Sequence, residues 1–291
     1  MNTNTNTNLT NYHSHCSFCD GRAPLEDFVK AAIEQGFTSY GVSSHAPLPF
    51  STRWTMERED VPPYLEEIAR LKQKYAAEIE LYSGMEIDYL DEDSNPSISY
   101  FRELPLDYRI GSVHMLESLE DGIIDIDVSK ERFRVLLPLY FGNDLQKLVN
   151  TYYDKLMRMV ELGGFDIVGH ADKMSYNASY CQPDLLEQDW YNRRIHEYFA
   201  FIAERGLMVE INTKAYQTMG VFFPNIKYFP LLKELHIPVL VNSDAHFPAK
   251  INSGRTDALK ALKEAGIDEV MELHGGKWEE VCICDTLFVN H

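Results

Sequence analysis

A closed α/β barrel of parallel strands, carrying its functional site at the C-terminal strand ends, is the fold this sequence predicts. Three observations predict it. Seven short apolar β-like runs alternate with helix-like segments along the 291 residues, the pattern of a parallel sheet with right-handed crossovers. The units are roughly 30 to 45 residues each, and the chain is as long as one α/β barrel. Neither a GxGxxG nor a P-loop appears, which disfavours the nucleotide-binding α/β folds.

The elements follow in order. MNTNTNTN at 1–8 is a Thr/Asn repeat and is expected to be a disordered lead-in. With no Pro/Ser-rich linker to divide the chain, residues 9–291 are expected to form a single barrel domain. LTNYHSH (9–15) is the first strand. PLEDFVKAAIEQG (24–36) opens on Pro and acids, spaces Phe28, Ala32 and Ile33 helically, and stops at Gly36. TSYGVSSH (38–45) is the second strand, an amphipathic helix covers 62–77, and EIELYSGMEIDY (78–89) is the third. YRIGSVHML (108–116) is the fourth, followed by a helix over roughly 143–163. FDIVGHAD (165–172), LMVEINT (207–213) and IPVLVNSDAH (237–246) complete the strands, with helices near 184–205, 226–235 and 257–266. Two insertions, 46–61 and 117–142, leave the C-terminal ends of strands, where a barrel builds its active site.

Composition bounds the function. Hydrophobic residues make up 45% and aromatic residues 12%, enough for a sizeable core. Asp and Glu outnumber Lys and Arg by 45 to 27, a formal net charge of -18. Such a surface repels nucleic-acid backbone and anionic membrane, so neither is expected as a partner. The five cysteines are odd in number and unevenly spaced, which suits a reducing cytoplasm better than a disulfide framework. No basic, apolar leader opens the sequence, and no apolar run approaches the ~20 residues that span a bilayer.

The candidate ligands sit at strand ends. The first strand ends in His13 and His15, with Asp20 just beyond. The second ends at His45, the third carries Glu86, the fourth ends at His114, the fifth at His170, and the seventh at Asp244 and His246. The sixth is the exception, ending in Asn212. If the strands are parallel, all nine groups meet at one mouth. His196, His236, His274 and His291 fall outside the pattern and are read as structural. Both H-x-H and D-x-H place their two side chains on one face of a strand. Imidazole mixed with carboxylate suits Zn, Mn or Fe, and nine ligands are enough for two or three ions. Two metals roughly 3.5–4 Å apart can activate a water and clamp a phosphate. The stretch 12-YHSHCSFCDG-21 keeps other readings open. Cys16 and Cys19 could be a redox pair, could bind a separate zinc with Cys282 and Cys284, or could simply fill a polar turn. Cys181 fits no pattern.

The opening H-x-H, His45, Glu86, His114, His170 and the closing D-x-H, taken as an ordered set, resemble the motifs of the PHP family, the polymerase-and-histidinol-phosphatase metallohydrolases. The resemblance covers about residues 9–250. It implies a distorted (β/α)7 TIM-like barrel. HSHCSFCDG with Asp20, SSHAPLPF, SGMEIDYL, GSVHML and GHADK look most like the histidinol-phosphatase branch. That resemblance implies His13, His15, Glu86 and Asp244 on one metal, Glu86 bridging to a second with His114 and His170, and Asp20, His45 and His246 on a third. It implies hydrolysis of L-histidinol phosphate by a metal-bridging hydroxide, in histidine biosynthesis, with Glu86 and with Asp20 or His246 taking catalytic parts. The branch's basic stretch after strand six reads here 212-NTKAYQTMG-220, without Arg. Phosphate contact is therefore expected from Lys173, Arg53, Lys214 or Arg255. Trp54 and Phe50 are candidates for capturing substrate. The alternatives are a PHP-type esterase acting on a nucleoside phosphate or oligonucleotide, and a metal-binding domain without activity.

Overall fold

The computed structural model describes residues 8–117 and 122–284. Of the expected lead-in, residues 1–7 lie outside the described residues, and Asn8 corrects the expectation. It is buried, its side-chain amide donating to Glu272 Oε1 at 2.9 Å and to the Cys282 carbonyl at 3.2 Å.

The first half runs β1 (Thr10–Asn11), α1 (Leu25–Glu34), β2 (Ser39–Val42), α2 (Val61–Lys74), β3 (Glu80–Ser83), β4 (Glu86–Asp88), α3 (Ser99–Arg102) and β5 (Ile110–Ser112). A hairpin of β6 (Met115–Glu117) and β7 (Ile123–Asp125) follows, then α4 (Lys130–Phe141), α5 (Leu145–Leu162) and β8 (Ile167–Val168). The chain closes with α6 (Met174–Cys181), α7 (Asp189–Glu204), β9 (Met208–Asn212), α8 (Tyr216–Met219), α9 (Phe229–Glu234), β10 (Val239–Asn242), α10 (Arg255–Glu264), β11 (Glu269–His274) and β12 (Lys277–Cys282).

The parallel α/β expectation is met, but among the described residues the ladders do not close into a barrel. They form two parallel sheets, ordered β1-β2-β3 and β10-β9-β8-β5-β4. The third expected strand is the reason for one gap. It breaks at Gly84–Met85, its first half pairing with β2 and its second with β5. The Tyr108 ring fills the space at the break: a Cβ on Gly84 would stand 2.2 Å from its Cζ. Single parallel bridges, Ser14 beyond β1 to Ala245 beyond β10 and His45 beyond β2 to Glu86 in β4, join the two sheets.

Side-chain alternation builds layers between the sheets. Tyr12, Tyr82, Ile110, Ile167, Met208 and Leu240 share one apolar cluster. Two residues further along the same faces come Ser112, Glu210 and Asn242, and two further His114, Asn212 and Asp244. The strands thus pass from apolar to polar in one direction and place the site at that end.

Seven elements among the described residues were not expected, the short α3, α6 and α8 among them. The 117–142 insertion contains β7 and α4. Helix α4 buries Phe133, Leu136, Leu137 and Phe141 at helical spacing, and Ser129 caps it by accepting from the Arg132 amide. Its interior Pro138 disguises that periodicity, although a Pro removes only one donor from the ladder. The β11–β12 hairpin turns at Gly275–Gly276 and stacks Trp278 edge-on against Tyr12, centroids 5.0 Å apart. No helix among the described residues is long and apolar enough to cross a membrane.

Candidate metal centre

Loops that leave the strand ends bring all nine sequence-selected ligand groups into one cluster. Glu86, buried, is its hub. Its Oε2 lies 3.1 Å from His13 Nε2, 3.4 Å from His15 Nε2 and 3.0 Å from His45 Nδ1. Its Oε1 faces the other side, 2.9 Å from His170 Nε2 and 3.6 Å from His114 Nε2, and accepts from the Ser112 hydroxyl at 2.7 Å. Asp244 Oδ1 stands 3.1 Å from His15 Nε2 and 3.6 Å from His246 Nδ1. His246 Nε2 reaches Asp20 Oδ1 at 3.2 Å. One carboxylate therefore has imidazoles on both oxygens, and a second pocket of His15, Asp20, His45 and His246 opens beside it.

Local backbone makes this possible. His170 and Asp244 both adopt positive φ, 26° and 46°, a region costly for residues other than Gly. The turn after His15 is equally constrained. The Cys19 and Gly21 amides both donate to the Cys16 carbonyl, and a Cβ on Gly21 would stand 2.1 Å from the His15 oxygen. Glycine there lets the chain double back and deliver Asp20 to His246.

Charge is distributed unevenly. Burial pulls His13 down, but Glu210, Glu86 and Asp244 outweigh it and hold the imidazole well above its ordinary range. Burial likewise opposes protonation of His114, and Asp88 and Glu86 overcome it, raising the pKa to about 9. His15 goes the other way, lowered by burial and by His45 and His246. His170 is lowered by burial and Lys173. Burial pushes Glu86 up, but His45, His13 and His114 hold it well below the carboxylate range.

A metal fits these residues. His13 Nε2, His15 Nε2, His45 Nδ1, Asp20 Oδ1 and Glu86 Oε2 are buried without a hydrogen-bond partner, and all face the same space. Orphaned polar atoms of this kind are costly unless something satisfies them. Imidazole and carboxylate together suit a divalent transition metal.

Metal binding requires unprotonated imidazole. His114 has a folded pKa raised above its unfolded value, so its stabilising contribution to the metal-free fold is complete below pH ~6.5 and is lost as pH rises through about 9. Metal affinity should rise over that same window. Zinc titrations at pH 7 in buffers of different ionisation enthalpy are expected to reveal proton release; binding without release would contradict a protonated His114.

Two carboxylates escaped the sequence reading. Glu210 lies inside β9, its Oε2 accepting from His13 Nδ1 at 2.8 Å and its Oε1 from the His170 amide at 2.7 Å. Asp88 holds His114 Nδ1 at 2.8 Å. Both orient imidazoles from behind, and both had a signal: a lone acid within an apolar run, and E-x-D spacing after Gly84. Asn212, seemingly the end of a strand without a ligand, donates to Glu210 Oε1 and to Asp244 Oδ2.

The basic residues divide. Lys173 and Lys214 line a cavity of about 320 Å³ opening beside His170 and Asp244. Lys173 pairs with Asp127, and Lys214 Nζ lies 3.1 Å from Asp244 Oδ1. Arg53 is exposed and does not line that cavity. Arg255 is placed elsewhere, a correction: it is buried at the start of α10, donates to the Val241 carbonyl and lies over the Phe37 ring. Trp54 stands edge-on to His45 and His114, centroids 4.7 and 5.3 Å away, whereas Phe50 is exposed. None of the five cysteines forms a disulfide, and among the described residues the clusters able to hold an ion contain no cysteine. Cys282 is exposed, its thiol on Glu269.

Comparison with known proteins agrees with this geometry. Residues 11–214 match the family model of the PHP domain. This chain belongs to the PHP family. A relative in Deinococcus radiodurans named "Probable histidinol-phosphatase" is 26% identical over 269 residues, covering 89% of this chain and 95% of its own. The crystal structure of a candidate histidinol phosphatase from Listeria monocytogenes superposes with a TM-score of 0.73 at 25% identity, over 85% of this chain and 99% of that one. The histidinol phosphate phosphatase of Lactococcus lactis, solved with Zn, L-histidinol and phosphate, shares the fold with a TM-score of 0.67 at 20% identity, over 93% and 98% of the two chains.

Proposed function

We propose that this PHP protein is a metal-dependent phosphomonoesterase and that its substrate is L-histidinol phosphate. The observation that carries the reading is Glu86, a buried carboxylate with the unpartnered nitrogens of His13, His15 and His45 facing one oxygen and the Nε2 atoms of His114 and His170 facing the other. The names of the relatives support the substrate. His13, His15, Glu86 and Asp244 would hold one divalent metal, Glu86, His114 and His170 a second, and Asp20, His45 and His246 a third, with Zn, Mn and Fe all suited to the donors. When bound, such metals make a water nucleophilic near neutral pH and neutralise phosphate oxygens.

The chain's own residues do the rest. Glu210 and Asp88 hold His13 and His114 with their Nε2 atoms facing the cluster. Lys214 and Lys173 bring positive charge to the rim where a phosphate enters, and the cavity beyond them, with Tyr176 and Phe223 in its wall, takes the organic half. With the third site empty, Asp20 and His246, 3.2 Å apart, can share a proton and pass it to the departing alkoxide. Trp54 narrows the opening over His45 and His114. The two sheets, bridged at Ser14–Ala245 and His45–Glu86 around one apolar layer, support a distorted (β/α)7 barrel as the scaffold. Cysteines that form no disulfide suit a reducing cytoplasm.

The test is a substrate panel. Metal-loaded protein is expected to hydrolyse L-histidinol phosphate in preference to AMP and a short oligonucleotide, and to lose activity to a chelator. Preference for either nucleic-acid substrate would replace the substrate assignment; chelator-resistant activity would remove the metal. Lys214→Ala is expected to raise KM by about ten- to a hundredfold, the worth of a charge-assisted phosphate contact, with a smaller change in kcat. An unchanged KM would exclude Lys214 from the phosphate site.

A further inference from the structure

The cysteines of 12-YHSHCSFCDG-21 are absorbed neither by a zinc site nor by the hydrolysis. Their positions give one of them a task. Three imidazoles of the cluster have an oxygen behind Nδ1. His13 has Glu210 at 2.8 Å, His114 has Asp88 at 2.8 Å, and His246 has the Asp244 carbonyl at 3.0 Å. His15 has none. The partner of its Nδ1 is a sulfur, Cys19 Sγ at 3.6 Å. Its Nε2 is fully buried, has no hydrogen-bond partner, and is aimed at Asp244 and Glu86, 3.1 and 3.4 Å away.

We infer that Cys19 is a positioning residue: its sulfur receives the Nδ1–H of His15 and so presents the Nε2 lone pair to a metal. A histidine ligand needs its second nitrogen fixed, because that contact selects the tautomer and sets the ring plane. The turn is built to hold the sulfur in place. The Cys19 amide donates to Cys16 at 3.0 Å, Ser17 to the Ala23 carbonyl at 2.9 Å, and Arg22 to the His246 carbonyl at 2.8 Å. Cys16, by contrast, belongs to an apolar cluster with Leu25, Phe28 and Tyr64 and meets the Ser44 hydroxyl at 3.3 Å. The two cysteines therefore differ in role, Cys19 supporting a ligand and Cys16 packing the turn. A thiol accepts more weakly than a carboxylate, which makes His15 the least tightly oriented of these four imidazoles.

The inference rests on His15 being a metal ligand, and the experiment separates the two. Zinc affinity is measured by competition with a chromophoric chelator for the full-length protein and for Cys19→Ala, Cys19→Ser and Cys16→Ala. Cys19→Ala is expected to lose about ten- to a hundredfold in affinity at the His15 site, the usual cost of removing such a support. Cys19→Ser, which keeps an acceptor, should recover most of it, and Cys16→Ala should bind as the parent does. Parent-like affinity in Cys19→Ala, or an equal loss in Cys16→Ala, overturns the inference while leaving the metal centre standing. An original protein that binds no zinc overturns both. Should Cys19→Ala not fold, nitrogen NMR of the zinc-loaded parent decides. His15 protonated at Nδ1 is expected, and His15 protonated at Nε2 overturns the assignment.

Discussion

Glu86→Gln is expected to lower kcat by a factor on the order of 10³ or more, a barrier increase of about 4 kcal/mol, while the protein stays folded. The side chain keeps its volume and can still accept from Ser112 at the 2.7 Å contact. It loses the charge that faces His13, His15 and His45 on one oxygen and His114 and His170 on the other. An amide offers one acceptor and one donor, so one of those two faces would meet an N–H where a metal must bind. Steady-state kinetics at saturating metal, metal content by elemental analysis and a thermal melt distinguish the cases. More than a tenth of the activity surviving with full metal content would mean that Glu86 does not bridge.

Glu210→Gln is expected to be nearly as damaging, from behind the ligands. Glu210 is fully buried and accepts four hydrogen bonds, from His13 Nδ1, the His170 amide, Asn212 and Asn242. A Gln turns one of those contacts into donor against donor. A loss of about 3 kcal/mol in stability and ten- to a hundredfold in metal affinity is expected, roughly. The pH dependence has a definite sign. Burial raises the Glu210 pKa, and His13 more than offsets this, leaving it below its ordinary value. Its contribution is present above the unfolded carboxylate pKa of ~4.3 and fades as pH falls through the folded value. The difference between Glu210→Gln and the parent should therefore be largest near neutrality and shrink in acid. A constant difference in chemical denaturation across that range would show that the charge is irrelevant.

These two residues also show how far the sequence could be read. Glu86 was legible because the strand-end register made it one of a set with His13, His45, His114 and His170. Glu210 sits two residues before the strand end, in the layer beneath, and strand periodicity alone does not say which layer touches a ligand. Lys214 and Arg255 were both candidates for contacting phosphate, yet of the two only Lys214 reaches the cluster. Arg255 begins a helix and turns inward to Val241 and Phe37, a direction set by tertiary packing. The parallel order of strands was legible from alternation, whereas the space at the Gly84 break is filled by Tyr108, a residue distant in sequence that comes just before β5. Helix α4 was hidden by Pro138, because a rule about isolated helices yields to a helix whose apolar face is buried.

The bridge between Ser14 and Ala245 sets the first strand against the last strand of the parallel sheets, with His13 and Asp244 on either side. An ion shared by those two side chains would act as a clasp on a loop of roughly 230 residues. Cross-linking so long a loop can restrict the unfolded chain by as much as ~5 kcal/mol, as a disulfide would. The catalytic ion would then double as the fastener of the fold, and loss of metal would expose the protein to proteases as well as silence it.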